Sequence, residues 1–270
     1  MPSESFPVTG PVQATVRIAV GEVTVTTDES GQVHASIEAT DAGDRAAVAL
    51  AESASIRCSG SELVVEVPQH RGLIWHGGTA SLHVRLTVPA GSSLGVAAGV
   101  LTLTATGRLD DVNLKAGVAT VDVEHAAELN VRGGQATVDL GSCTRVAYKC
   151  GRGDLRVGAA EEVYVKAGQG RVEIGSCSGD VVVKGAMVSL DVAAATSGRI
   201  SFDAAMGNAQ VGVVEGTTVE LDLTSATGDA RSELAPTDGP GGGAALSVRL
   251  KTTSGDVLVT RAKEPASAAS

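Results

Sequence analysis

One local pattern recurs along the chain at a spacing of about 17 residues, and it limits the folds open to the chain more than any other feature. Take Gly117 in LKAGVATVDV as position zero. The pattern returns at Gly134, Gly151 and Gly168, then at Ala186, Ala205, Ala226 and Thr253, with Gly99 before them. Three residues before zero stand Val96, Leu114, Val131, Tyr148, Val165, Val183 and Phe202. Five before stand Val112, Leu129, Val146, Val163, Val181 and Ile200. Apolar columns also follow at four and six after zero, for example Val121 with Val123 and Val172 with Ile174. Polar residues alternate with these positions. Period-2 alternation of this kind marks half-buried strands. Each repeat therefore carries two short strands joined by a glycine turn.

A unit of 17 residues is too short to hold a helix plus its turns. A hairpin array shows similar alternation, but constant columns at a constant offset favour parallel, in-register stacking about 4.8 Å apart. One repeat cannot bury its apolar face alone, so neighbours must stack. The expected class is all-β: a parallel β-helix or β-solenoid with coils of about 17–21 residues. Composition agrees. Aromatics make up 2% of the chain while apolar residues reach 43% and glycines number 34. A narrow interior of stacked small side chains needs few aromatics.

Three regions follow. Residues 1–90 are strand-like but less regular, and read as a cap or as atypical first coils. Segment 41–57 fits a short helix. Residues 91–262 form the repeat array, interrupted at 233–245 by the Pro/Gly-rich ELAPTDGPGGGAA, a flexible excursion between the last two coils. Residues 263–270 read as a disordered tail.

The formal net charge of −10 argues against nucleic-acid binding, which needs excess Lys and Arg. The opening MPSESFPVTG has no basic n-region or apolar h-region, and no apolar run reaches about 18 residues. The expectation is a cytoplasmic chain without a membrane span. Cys58, Cys143, Cys150 and Cys177 form no CxxC pair and no zinc spacing, so they read as reduced thiols serving packing. No cofactor is expected.

The columns, PAGSSL at 89–94, EGTTVELDL at 215–223 and SGDVLVTRA at 254–262 resemble one bacterial group. It is the putative-adhesin, or toastrack, family of β-strand-repeat domains of unknown function. The resemblance runs from VGEVTV at 20–25 to Arg261. It departs at several SGD turns, replaced here by AGV at 116–118 and GGQ at 133–135. The resemblance implies a solenoid with no established enzyme activity, and a loop plus strand as the alternative to a helix at 41–57. Some family members are fused to membrane segments and are associated with envelope stress or signalling.

Three sets of residues are candidate sites. The first is a basic column two before zero: Lys115, Arg132, Lys149, Lys166 and Lys184. By alternation it faces outward. A mostly acidic column six before zero, with Asp111, Glu128, Arg145, Glu162 and Asp180, is expected to neutralise it across the sheet. The sharper reading is a stripe that docks an anionic surface or a protein partner. The second set is the loop 68–78, with His70, Arg71, Trp75 and His76. Trp75 reads first as a cap on the apolar interior, next as an interface anchor and last, with the histidines, as a metal site. The third set would be catalytic. Asp154 and Arg171 are stacked neighbours, and Asp122, Asp139, Arg156, Glu173 and Asp191 form a ladder. An alternating salt-bridge row explains them without catalysis, and there is no Walker, GxSxG or HExxH motif. The leading expectation is therefore a non-enzymatic scaffold or protein-interaction module. A self-assembling structural protein and a carbohydrate-binding or carbohydrate-active β-helix are the alternatives.

Overall fold

The computed structural model describes residues 2–68, 80–235 and 245–262. Among them are sixteen strands and one helix, so the class is all-β. The chain groups into two compact units, Met1–Leu140 and Gly141–Ser270.

The first unit contains β1 (Ser3–Pro7), β2 (Gln13–Arg17), β3 (Val20–Asp28), β4 (Gln32–Ala39), α1 (Arg45–Glu52), β5 (Ser55–Ser59), β6 (Glu62–Glu66), β7 (Leu82–Pro89) and the part of β8 (Ser92–Arg152) up to Leu140. β2 lies parallel to 93–97, and β3 lies parallel to 100–106, with Val16 beside Val96 and Val23 beside Leu103. β2 and β3 thus make a two-stranded rung like those of the repeat. β6 and β7 continue the stack in parallel. Beyond them the direction changes: β5 pairs with β6, β4 with β7 and β1 with β4, all antiparallel.

Segment 41–57 folds as helix and then strand. Asp44 caps α1 by accepting the N–H groups of Ala46 and Ala47. The alanine-rich run that follows suits a helix. Ala47 and Ala51 are buried, and α1 packs on β4.

Within β8 the chain bends and stacks on itself. A Cβ on Gly134 would lie 2.9 Å from the Gly117 carbonyl, and one on Gly117 would lie 2.8 Å from that of Gly99. The zero column is glycine here because the backbones approach too closely for a side chain. Val112, Leu114, Leu129 and Val131, before the zero column, and Val121, Val123, Val138 and Leu140, after it, are all buried. The PAGSSL segment has a fixed role as well. Ser92 is buried, donates to the Pro89 carbonyl at 2.6 Å and accepts the Val12 N–H at 3.0 Å.

The second unit begins with the rest of β8. It continues with β9 (Leu155–Cys177), β10 (Val181–Ala195), β11 (Gly198–Met206), β12 (Ala209–Val213), β13 (Thr218–Thr227), β14 (Ala230–Ser232), β15 (Ala245–Ser254) and β16 (Val257–Arg261). β10 lies parallel on β9 from Val181 beside Val163 to Ala195 beside Cys177. β11 and β12 lie parallel on β10. The next rung is not the next in sequence. β15 pairs with β11, Val248 beside Ile200, and β16 pairs with β12. β13 and β14 lie beyond them, on β15 and β16.

That order corrects the expectation that the last coils stack in chain order. The physical reason lies in the side chains. Leu246, Val248, Leu250, Val257 and Val259 are all fully buried. In the rung of β13 and β14, by contrast, Val219, Leu221 and Leu223 are half-buried and β14 is exposed throughout. The more apolar rung takes the inner place.

Stacked turns lock this order. Gly207, Gly255 and Gly228 all have φ near +140° (138°, 140° and 136°), a region that disfavours any side chain. A Cβ on Gly255 would overlap the Gly207 carbonyl, and one on Gly228 would overlap that of Gly255. The residue after each glycine links the rungs. Asn208 accepts the Asp256 N–H at 2.9 Å, and Asp256 accepts the Asp229 N–H at 2.9 Å.

Candidate functional site

Alternation places the lysines of the second unit outside. Lys149, Lys166 and Lys184 are exposed; Lys149 and Lys166 each lie between buried neighbours along the strand, and Lys184 follows the buried Val183. Lys184 stands directly beside Lys166 in the parallel register. On its other side Lys184 stands beside Asp203, and Asp203 stands beside Lys251. Lys251 belongs to the same column, two before Thr253, and the sequence reading, which ended the column at Lys184, left it out.

The outward row two positions earlier supplies apolar surface. Tyr164, 39% exposed, stands beside Val182. The Lys149 ammonium sits 5.4 Å from the centre of the Tyr164 ring, within cation–π range. Tyr164 is one of only two tyrosines in the chain. Its column, four before zero, was the available signal. In the first unit Lys115 and Arg132 are also exposed, as alternation requires.

The acidic column does not neutralise the basic one. Glu162 pairs with Arg145 of its own column at 2.8 Å. Asp180 accepts the Arg199 N–H, also of that column, at 3.1 Å. In the first unit, burial raises the Asp111 carboxyl, and the carboxylates of Asp110 and Glu128 add to the rise. Among the described residues no ion pair holds Lys149, Lys166 or Lys184. The reason is distance. Four residues along a strand span roughly 13 Å, whereas neighbours along a column are about 4.8 Å apart. Glu162 therefore pairs along its own column and not with the lysines.

The loop residues His70, Arg71, Trp75 and His76 lie outside the described residues. His83, on β7, is within hydrogen-bonding distance of Thr24, Nε2 to Oγ1 at 2.9 Å, and Glu38 lies beside it at 3.8 Å. Among the described residues no cluster of three His, Cys, Asp or Glu side chains could hold a metal.

The acid–arginine set of the second unit forms an ion-pair row. Asp154 accepts the Arg171 N–H at 2.9 Å, a link between turns. Arg156 donates to Glu173 at 2.7 Å and Arg171 reaches it at 3.4 Å. The hydrogen bond from Arg156 holds the Glu173 carboxyl below its ordinary range, with Arg171 adding to the effect. Such a carboxylate stays ionised and cannot serve as a general acid near neutrality. A shallow depression of roughly 390 Å³ lies over these groups, with Gln169, Met187 and Ser189 on its walls and no aromatic ring. In the first unit Asp122 and Asp139 are exposed.

Among the described residues no cysteine is disulfide-bonded. Cys143, Cys150 and Cys177 are buried, while Cys58 is only half-buried. Burial pushes the Cys177 thiol up to about 11. Iodoacetamide at pH 8 should therefore label Cys58 first and reach Cys177 only after denaturation, as peptide mass spectrometry would show. Labelling of Cys177 at the Cys58 rate would contradict its packing.

No protein-family model and no curated protein matches the chain. Solved structures do. The chain is similar to a putative adhesin from Bacteroides fragilis at 13% identity, over 96% of each chain, with a TM-score of 0.38. It is similar to a putative adhesin from Parabacteroides distasonis at 14% identity, over 95% of this chain and 96% of that one, with a TM-score of 0.34. A third, from Parabacteroides merdae, shares 13% identity over 97% and 96% of the two chains, with a TM-score of 0.33. All three carry the name of the group that the sequence resembles. Among the described residues no helix is long and apolar enough to cross a membrane.

Proposed function

We propose that the parallel rungs in each unit are coils of a β-solenoid, and that the chain is a non-enzymatic protein-interaction module. Its contact surface is the outer face that carries Lys149, Lys166 and Lys184. One observation carries this reading: Lys149, Lys166 and Lys184 are stacked and spaced for mutual repulsion, no ion pair holds them among the described residues, and the one carboxylate in their column, Asp203, stands beside Lys184 alone of the three. Like charges side by side on a sheet are unfavourable until an opposite charge arrives. Tyr164 and Val182 lie in the adjoining row and supply apolar contact. The partner that fits is a protein with an acidic surface. Support for the non-enzymatic part comes from the second face, where Glu173 is held between two arginines and Asp154 is engaged with a backbone N–H.

The test is the double variant Lys149→Glu/Lys166→Glu, compared with the unaltered chain by quantitative mass spectrometry of affinity-captured partners. Specific partners should fall by about tenfold or more, because charge complementarity is reversed. Thermal unfolding should be nearly unchanged, since exposed charges contribute little to stability. Unchanged partner recovery would overturn the reading.

A further inference from the structure

We infer that the outer edge of β13 docks an extended peptide strand in which branched aliphatic residues alternate with lysine or arginine. β13 pairs with β15 along one side, from Thr218 beside Ala245 to Thr227 beside Ser254. Among the described residues no strand pairs with its other side. A strand edge of this kind presents backbone donors and acceptors ready to pair with another strand.

The inward side chains point the same way. Val219, Leu221 and Leu223 stand beside Leu246, Val248 and Leu250, which are 0–2% exposed. On β13 the same kinds of side chain are only half-buried, because among the described residues no further rung covers them. The other strand of this rung differs. In β14 Ala230, Arg231 and Ser232 are all exposed and offer almost no apolar surface. Covering this rung therefore gains apolar burial along β13 alone. That fits a single added strand better than a whole second rung.

Charge selects the strand. The outward residues Glu220 and Asp222 are exposed. β15 shows what suits them, since its Ser247, Arg249 and Lys251 stand beside Glu220, Asp222 and Thr224. Arg249 donates to Asp222 at 2.7 Å. β15 itself reads LSVRLK from Leu246 to Lys251. A strand on the uncovered side meets the same carboxylates and the same aliphatic row, so the same alternation fits. Backbone pairing supplies affinity and the alternating side chains supply selectivity, as in other β-augmentation. A second copy offering its own β13 would set Glu220 and Asp222 against like charges, which is destabilising. This edge shares the sheet face of the lysines but lies beyond β11 and β15 from Lys184, and the inference does not depend on the lysine stripe.

The experiment is a fluorescence-anisotropy titration of the full chain against three labelled peptides. They are LSVRLKT, the acidic LSVELET, and RLLKVST, which keeps the composition but loses the alternation. LSVRLKT should bind saturably to the unaltered chain. Binding should be at least tenfold weaker for each control peptide. It should be weakened equally by Glu220→Lys, while Lys149→Glu/Lys166→Glu leaves it unchanged. Absence of LSVRLKT binding, equal binding of LSVELET, or indifference to Glu220→Lys would each overturn the inference. Sedimentation velocity adds one more outcome. A dimer of the unaltered chain that is lost in Glu220→Lys would assign the edge to a second copy and overturn the peptide assignment.

Discussion

Phe202→Ala should lower stability by about 3–5 kcal/mol, the usual cost of truncating a buried aromatic ring. Phe202 is 1% exposed. It stands between Val183 of one neighbouring rung and Leu250 of the other. Each rung rests on the two beside it, so the cavity cannot close without disturbing both. Phe202→Leu keeps most of the volume and should cost under about 1.5 kcal/mol. Urea unfolding followed by circular dichroism would measure both. A loss below about 1 kcal/mol for the alanine variant would mean that the ring is not packed between these rungs.

Gly255→Ala should be nearly as damaging for a different reason. At φ 140° the backbone of Gly255 occupies a region that costs a residue with a Cβ about 1–3 kcal/mol. The new methyl group would also overlap the Gly207 carbonyl. Relief requires shifting β15 and β16 away from β11 and β12, which would weaken the hydrogen bond from Asp256 N–H to Asn208. Gly10 is a control: nothing lies within 4 Å of a Cβ there and its φ is not positive. Gly10→Ala should change stability by under about 0.5 kcal/mol, as surface changes usually do. Equal effects of the two substitutions would remove the close-stacking explanation for the glycine turns.

The buried positions were legible from the sequence because two constraints act together. Period-2 alternation sets which side chains point inward, and a constant offset sets which of them meet. Val181 and Ile200 share a column in the sequence and stand side by side in the structure. The rung order at 198–261 was not read, although a signal existed. At the positions where β16 has Val257 and Val259, β14 has Ala230 and Ser232, too small to hold an inner place. The first 90 residues were recognisably strands, but pairing direction leaves little trace in a short alternating segment, and β4 and β7 look alike whether parallel or not.

The lysine column was legible as a column, while its electrostatic partners were not. Neutralisation across the sheet was expected because both columns share the outer face. In a stacked array the nearest outward neighbours are on adjacent rungs, so Arg145 meets Glu162 and Arg156 meets Glu173. Pairing within columns engages Glu162 and Glu173 and leaves Lys149 and Lys166 without an ion pair among the described residues. Tyr164 gains its meaning in the same way, because its neighbours Lys149 and Val182 come from other rungs.

Everything above depends on parallel, in-register stacking, and amide–amide NOEs in the perdeuterated chain test it most directly. Stacking of this kind predicts cross-peaks in which both residue numbers rise together: Val163 with Val181, Val165 with Val183, and Val172 with Leu190. Continuation onto the next rung predicts Val183 with Phe202 and Leu190 with Ala209. Cross-peaks in which one number rises as the other falls across these same strands would show a hairpin array and contradict the rung architecture and the lysine face with it.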